Sequence, residues 1–93
     1  MFDGILKEMR GKVRERKYVM SLHGEEEMNS DCLSIYDVER GILTGKIVER
    51  QKDKVTAEWK YRITGQTVDG SEVEVIAKLG PTGKLVIITV YTL

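Results

Sequence analysis

Cysteine is almost missing from this chain. Cys32 stands alone, so no intramolecular disulfide can form, and a lone thiol fits a reducing compartment. It is expected to be a buried free thiol. Histidine is equally scarce: one His and one Cys, nine positions apart, lack the spaced ligand pairs that zinc requires, so no metal site is expected. The glycines stand singly at turns, which excludes a P-loop or a dinucleotide fingerprint, and no cofactor is expected. Net charge is also absent, because 15 Lys and Arg cancel 15 Asp and Glu. No global field draws the chain to nucleic acid or to an anionic membrane, and any such binding has to be local. The longest apolar run, Leu85 to Val90, is far short of the roughly 20 residues of a membrane-spanning helix. The amino terminus lacks the basic segment, apolar stretch and small-residue cleavage site of a secretory signal. A cytoplasmic protein with no membrane partner is expected.

What is present describes one folded unit. A length of 93 residues fits a single domain, residues 1–93, and 41% hydrophobic with 32% charged residues is a globular composition. Charge is distributed unevenly. Residues 1–20 are mostly basic, residues 21–39 carry Glu25, Glu26, Glu27, Asp31, Asp37 and Glu39 with no Lys or Arg, and residues 40–62 are basic again. Such a pattern predicts pairing within the fold, with the acidic segment against basic side chains of the first helix or first strand.

Hydrophobic periodicity assigns the elements. Phe2, Ile5, Leu6, Met9 and Val13 recur at helical spacing, weakened by Gly11. Tyr18 to Met20 is a short β-prone stretch ending at Ser21, a good N-cap for a second helix over His23 to Met28, whose early glutamates suit the helix dipole. Ser34 with Asp37 resembles a capping box opening a third helix, with Ile35, Val38 and Ile42 as its buried stripe and Gly45 as a left-handed cap. From Lys46 the period becomes two. Lys46 to Gln51 is a strand, and a turn at Lys52 to Lys54 leads to an alternation in which Val55, Ala57, Trp59, Tyr61 and Ile63 face the core while Thr56, Glu58, Lys60, Arg62 and Thr64 face away. Val68-Asp69-Gly70 is a hairpin signal before Val73, Val75, Ala77 and Leu79. After a turn at Gly80 to Gly83, the run Leu85 to Val90 is apolar on both faces, which predicts a strand inside the sheet, paired on both sides. Short turns make the successive strands antiparallel neighbours. The expected fold is α+β, with N-terminal helices packed on a four-stranded antiparallel sheet and Trp59 and Tyr61 facing the helices.

Two groups of residues carry potential chemistry. His23, at the start of the second helix, suits general acid-base work because an unperturbed imidazole titrates near 6.5. As a surface histidine it would instead be held by Glu26 or Glu27 on the next turn. Lys60 and Arg62 share one strand face, as do Thr89 and Tyr91, because residues two apart point the same way. Two cations and two hydroxyls on an open sheet can grip a phosphodiester and stabilise the charge that builds during its cleavage. The structural alternative is that Thr89 and Tyr91 pack beneath a helix while Lys60 and Arg62 are solvated.

The strings YVMSLHGEEEM, LSIYDVERGILTGKIVER, YRITGQTVDG and VIITVY resemble the prokaryotic domain-of-unknown-function family numbered forty-two fifty-eight, over about Tyr18 to Tyr91. That resemblance implies kinship with the barnase, EndoU, colicin and RelE group of toxin ribonucleases, and hence a RelE-like fold. His23 matches the family histidine, and Thr89 and Tyr91 match its terminal strand. Glu27 stands where the family has arginine, and Gly24 where it has alanine. Metal-free RNA cleavage needs a cation against the transition-state phosphate, so Arg62 or a residue of the first helix has to supply it, or this member no longer cleaves RNA. The implied function is an RNA-cleaving or RNA-binding toxin-type domain neutralised by an antitoxin protein. His23 would be its general acid or base, Arg62 and Lys60 its phosphate grip, and Tyr91, beside Thr89, would orient or protonate the leaving group. The alternative is a catalytically silent module that homodimerises or binds a protein partner through its acidic helix and sheet.

Overall fold

The computed structural model describes residues 2–93. Helix α1 (Asp3–Arg14) buries Leu6, Met9 and Val13, the stripe expected from its spacing. Strand β1 (Tyr18–Met20) follows, then helix α2 (Leu22–Ser30), whose N-cap Ser21 accepts from the Gly24 N–H. Helix α3 (Ile35–Thr44) opens with a complete capping box between Ser34 and Asp37 and buries Val38, Gly41 and Ile42. Four strands complete the chain: β2 (Lys46–Lys52), β3 (Trp59–Gln66), β4 (Glu72–Leu79) and β5 (Leu85–Thr92).

The sheet has five strands in the order β1-β5-β4-β3-β2. The expected four-stranded antiparallel sheet is therefore corrected to a mixed one. β2 to β5 are antiparallel neighbours, and β1 adds as a short edge strand parallel to β5. The crossover from β1 to β5 carries most of the chain, so the pairing is non-local and leaves no hairpin signal in the sequence. β5 is paired on both sides, as expected for a strand apolar on both faces.

The core lies between one face of the sheet and helices α1 and α3, around Met9, Val38, Ile42, Ile63, Val75 and Ile87. Glycine sets how closely α3 approaches. A methyl on Gly65 of β3 would fall inside contact distance of the Gly41 carbonyl. Gly45 is not the left-handed cap expected, since its φ is −86° and its ψ 176°. Its small size is what matters, because a Cβ there would meet Ile63 Cγ2 at 2.6 Å. Cations can cap a helix end through its last carbonyls, and Arg10 does so here, donating from Nη2 to the Gly45 carbonyl at 2.8 Å.

Three further expectations are corrected. Val55 to Ala57 belong to the β2–β3 turn, where Ala57 takes a φ of 60° and Val55 is fully exposed, so the alternating pattern overran the strand. Tyr61 is buried and meets the Phe2 ring edge-on at 5.9 Å, but Trp59, one strand repeat further out, is 42% exposed because α1 ends its cover at Phe2. Cys32 is exposed, in the turn after α2 with a φ of 56°, rather than buried.

The acidic segment also pairs differently from expectation. Among the described residues no ion pair joins it to α1 or β2. Three of its carboxylates meet neutral donors instead. Glu39 accepts from the Tyr18 hydroxyl, Asp37 from the Ser34 and Val68 amides, and Asp31 from the Thr92 amide at 2.8 Å. Backbone N–H groups can satisfy a carboxylate as well as a lysine can, without ordering a long side chain.

Candidate functional site on the helix-free face of the sheet

One face of the sheet is taken by α1 and α3, and the other has no helix across it. Two irregularities decide which side chains occupy that open face. In β5, Ile87 pairs with Ala77 and Thr89 with Ile76, leaving Ile88 as an extra residue. Leu85 and Ile87 are core, and plain alternation from them would turn Thr89 and Tyr91 inward. A bulge reverses the parity. Val90 is buried in their place, while Thr89 faces out opposite Ile76 and Tyr91 opposite Glu74. In β2 the register shifts likewise between Ile47 and Glu49, and Glu49 comes out beside Arg62.

The open face therefore carries Lys60, Arg62, Thr89 and Tyr91 together, with Glu49 and Glu74 among them. Arg62 Nη1 donates to Glu74 Oε1 at 3.3 Å, and Nη2 to Glu49 Oε2 at 3.4 Å. The Glu74 side chain is 3% exposed. Its second oxygen and the Nε of Arg62 lack hydrogen-bond partners, which is rare for buried charged groups. Lys78 is likewise engaged, at 3.2 Å from Glu58, whereas Lys60 makes no ion pair among the described residues. Sequence patterning pointed to Arg62 and Lys60 but not to Glu49 or Glu74. A buried Glu74 alternating with Val73 and Val75 reads like its exposed neighbour Glu72, and only the cross-strand register sets them apart.

His23 approaches this face from the sheet edge. The Ser21 hydroxyl donates to the Ile88 carbonyl at 2.8 Å, and its amide to that of Ile87 at 2.9 Å, tying the start of α2 to the β5 bulge. Gly24 rests against the same carbonyls, and a Cβ there would lie 3.2 Å from Ile88 O. Met28 packs on the core, so it marks the flank of α2 turned toward α1 and α3. At about 100° per residue, His23 and Glu27 fall on the opposite flank of the Gly24 contact, the side of the open face. His23 Nε2 is 2.6 Å from Glu27 Oε1, with the imidazole exposed and the carboxylate largely covered. Of the two glutamates expected to hold His23, Glu27 is the one in contact, but its buried Oε1 makes no hydrogen bond. No direct contact joins His23 to Tyr91 or to Arg62.

Among the described residues no group of three or more His, Cys, Asp or Glu side chains could hold a metal ion, and no helix is long and apolar enough to cross a membrane. The chain is thus an α+β domain with α1 and α3 on one face of a mixed sheet, α2 along its β5 edge, and a polar, hydroxyl-bearing constellation on the other face. A domain of unknown function, DUF4258, matches residues 20–92, and the chain belongs to that family. Comparison with curated proteins and with solved structures finds no match.

Proposed function

We propose that the open face acts on single-stranded RNA, as a RelE-like, toxin-type domain working in the cytoplasm and held in check by an antitoxin protein. The observation that carries the proposal is the bulge at Ile88, which brings Thr89 and Tyr91 to the face of Lys60 and Arg62 and receives the start of α2 at its carbonyl. A phosphodiester on this face would meet the Lys60 ammonium as its uncommitted cation. His23, beside the Glu27 carboxylate, serves as one proton carrier and Tyr91 as the other, because one imidazole cannot be base and acid in the same step. In cleavage by the neighbouring 2′-hydroxyl, the base takes its proton as that oxygen attacks phosphorus, and the acid protonates the departing 5′ oxygen.

A second function has its own support. Arg62 is held between Glu49 and Glu74, as in a structural network, and this favours a silent module that dimerises or binds a partner. Induced expression in a bacterial host separates the two. The ribonuclease predicts growth arrest, lost in His23→Ala and Tyr91→Phe at unchanged melting temperature. Absence of arrest with the soluble wild-type protein, and no cleavage of RNA in vitro, would select the silent module.

A further inference from the structure

The β2–β3 hairpin carries an excess of uncommitted positive charge around the only tryptophan of the chain. Every acid in it is already engaged. Glu49 meets Arg62, Glu58 meets Lys78, and Asp53 accepts from the Val55 and Thr56 amides at 2.9 and 3.2 Å. Arg50, Lys52, Lys54 and Lys60 have no carboxylate partner among the described residues. The Arg50 guanidinium lies 4.0 Å from the Trp59 ring centroid and 5.7 Å from that of Phe2, and the Lys52 ammonium is 5.9 Å from Trp59. The loop is ordered by Asp53 N–H to Glu58 O and Ala57 N–H to Asp53 O, both 2.8 Å, so these groups project from a fixed frame. Trp59 stays 42% exposed where Tyr61, on the same face, is buried.

We infer that this hairpin is a sequence-tolerant binding subsite for single-stranded RNA, in which an unstacked base lies on Trp59 and Arg50 while Lys52 and Lys54 hold the flanking phosphates. The inference rests on the RNA-directed function proposed above and extends it to a surface beyond the open face. Lys60, on the other side of the same strand, links the two. Exposed rings and guanidinium planes stack on any base, and cations set along the strand track its backbone. An acidic protein segment would satisfy the charge but would leave the indole without a planar partner.

The single tryptophan reports on itself. The full-length chain, titrated with a ten-nucleotide DNA strand that has no 2′-hydroxyl to support cleavage, should show saturable quenching of Trp59 fluorescence. The same length of RNA should do likewise. Heparin and oligoglutamate, polyanions without bases, should bind through charge but without comparable quenching. By anisotropy of a labelled strand, Trp59→Leu should weaken binding at least about fivefold, the low end for loss of one stacked base. Lys54→Glu, at an exposed loop position, should weaken it and flatten the salt dependence by about 0.7 in slope for each phosphate that is no longer neutralised. Equal quenching by heparin or oligoglutamate, or unchanged affinity in both variants, would overturn the inference. Growth arrest without quenching rejects this subsite and leaves the toxin-type function standing, whereas quenching without arrest or cleavage retains the subsite and rejects catalysis.

Discussion

Arg62 is where the structural and catalytic accounts of the open face can be separated. Replacing it with Met keeps much of the aliphatic stem and removes the guanidinium that touches Glu49 and Glu74. Glu49, 41% exposed, returns to water at little cost, but the Glu74 side chain is 3% exposed, and its other oxygen already lacks a partner. Breaking a fully buried pair typically costs about 3–5 kcal/mol. Arg62 is itself 36% exposed, so solvent already screens the pair and about 2 kcal/mol is the expected loss. For a chain of this size that is roughly 8–16 °C in melting temperature. The double variant Arg62→Met, Glu74→Gln removes the stranded charge and should recover at least half of the loss, a coupling of at least about 1 kcal/mol in a double-mutant cycle. Urea unfolding of the wild type, both single variants and the double variant measures it. Strict additivity, or a single-variant cost below about 0.5 kcal/mol, the usual range for ordinary surface sites, would refute the view of Glu74 as a buried charge that depends on Arg62. The double variant then serves as the folded background for activity. Growth arrest that survives in it would remove Arg62 from the phosphate grip.

Gly65→Ala should destabilise by about 3 kcal/mol, the upper end for overpacking, because the new methyl meets the Gly41 backbone, whereas Gly11→Ala, with open space around it, should stabilise α1 by about 0.5–1 kcal/mol. Thermal denaturation of both variants tests the contrast, and a tolerated Gly65→Ala would mean that α3 can lift from β3. Burial, with help from Glu39, pushes the Tyr18 phenol up to about 12 from an ordinary 10.0. The unfolded chain ionises first, so the stability due to this group is complete below pH 10.0 and declines as the pH rises toward 12. Tyr18→Phe should make the alkaline decline shallower, and denaturant midpoints across that range check it. The amides of Ser34 and Val68 hold the Asp37 carboxyl below its ordinary 3.8, so its contribution is present above that pH and lost as the pH falls through the folded value. Asp37→Asn should be less stable at neutral pH and should lose less on acidification; an equal acid response would exclude the box as the cause.

Much of the fold was legible because it is local. The capping box at Ser34 and Asp37, the α1 stripe through Met9 and Val13, and the cap of Ser21 on α2 depend on residues within a turn of one another. Periodicity found β4 and the interior position of β5 for the same reason. The i,i+4 contact of His23 with Glu27 was also within reach, since helix geometry alone brings those residues together. The pattern failed at Val55 to Ala57, where an apolar alternation continued into a turn, and at Trp59, where alternation gave the correct face but not the extent of helix covering it.

By itself, then, the sequence determined the α+β class, the sites and hydrophobic faces of the helices, the succession of antiparallel hairpins and the family. Tertiary structure alone decided the parallel addition of β1 to β5, which closes over most of the chain, and the two bulges that re-aim side chains on β2 and β5. Counting in twos from Leu85 and Ile87 would have buried Thr89 and Tyr91, and counting from Ile47 would have turned Glu49 away from Arg62. The extra residue at Ile88 sits where the Ser21 hydroxyl and the Gly24 contact receive its carbonyl. Those partners lie more than sixty positions earlier in the chain, and a parity set by contacts at that separation leaves no trace in the local pattern.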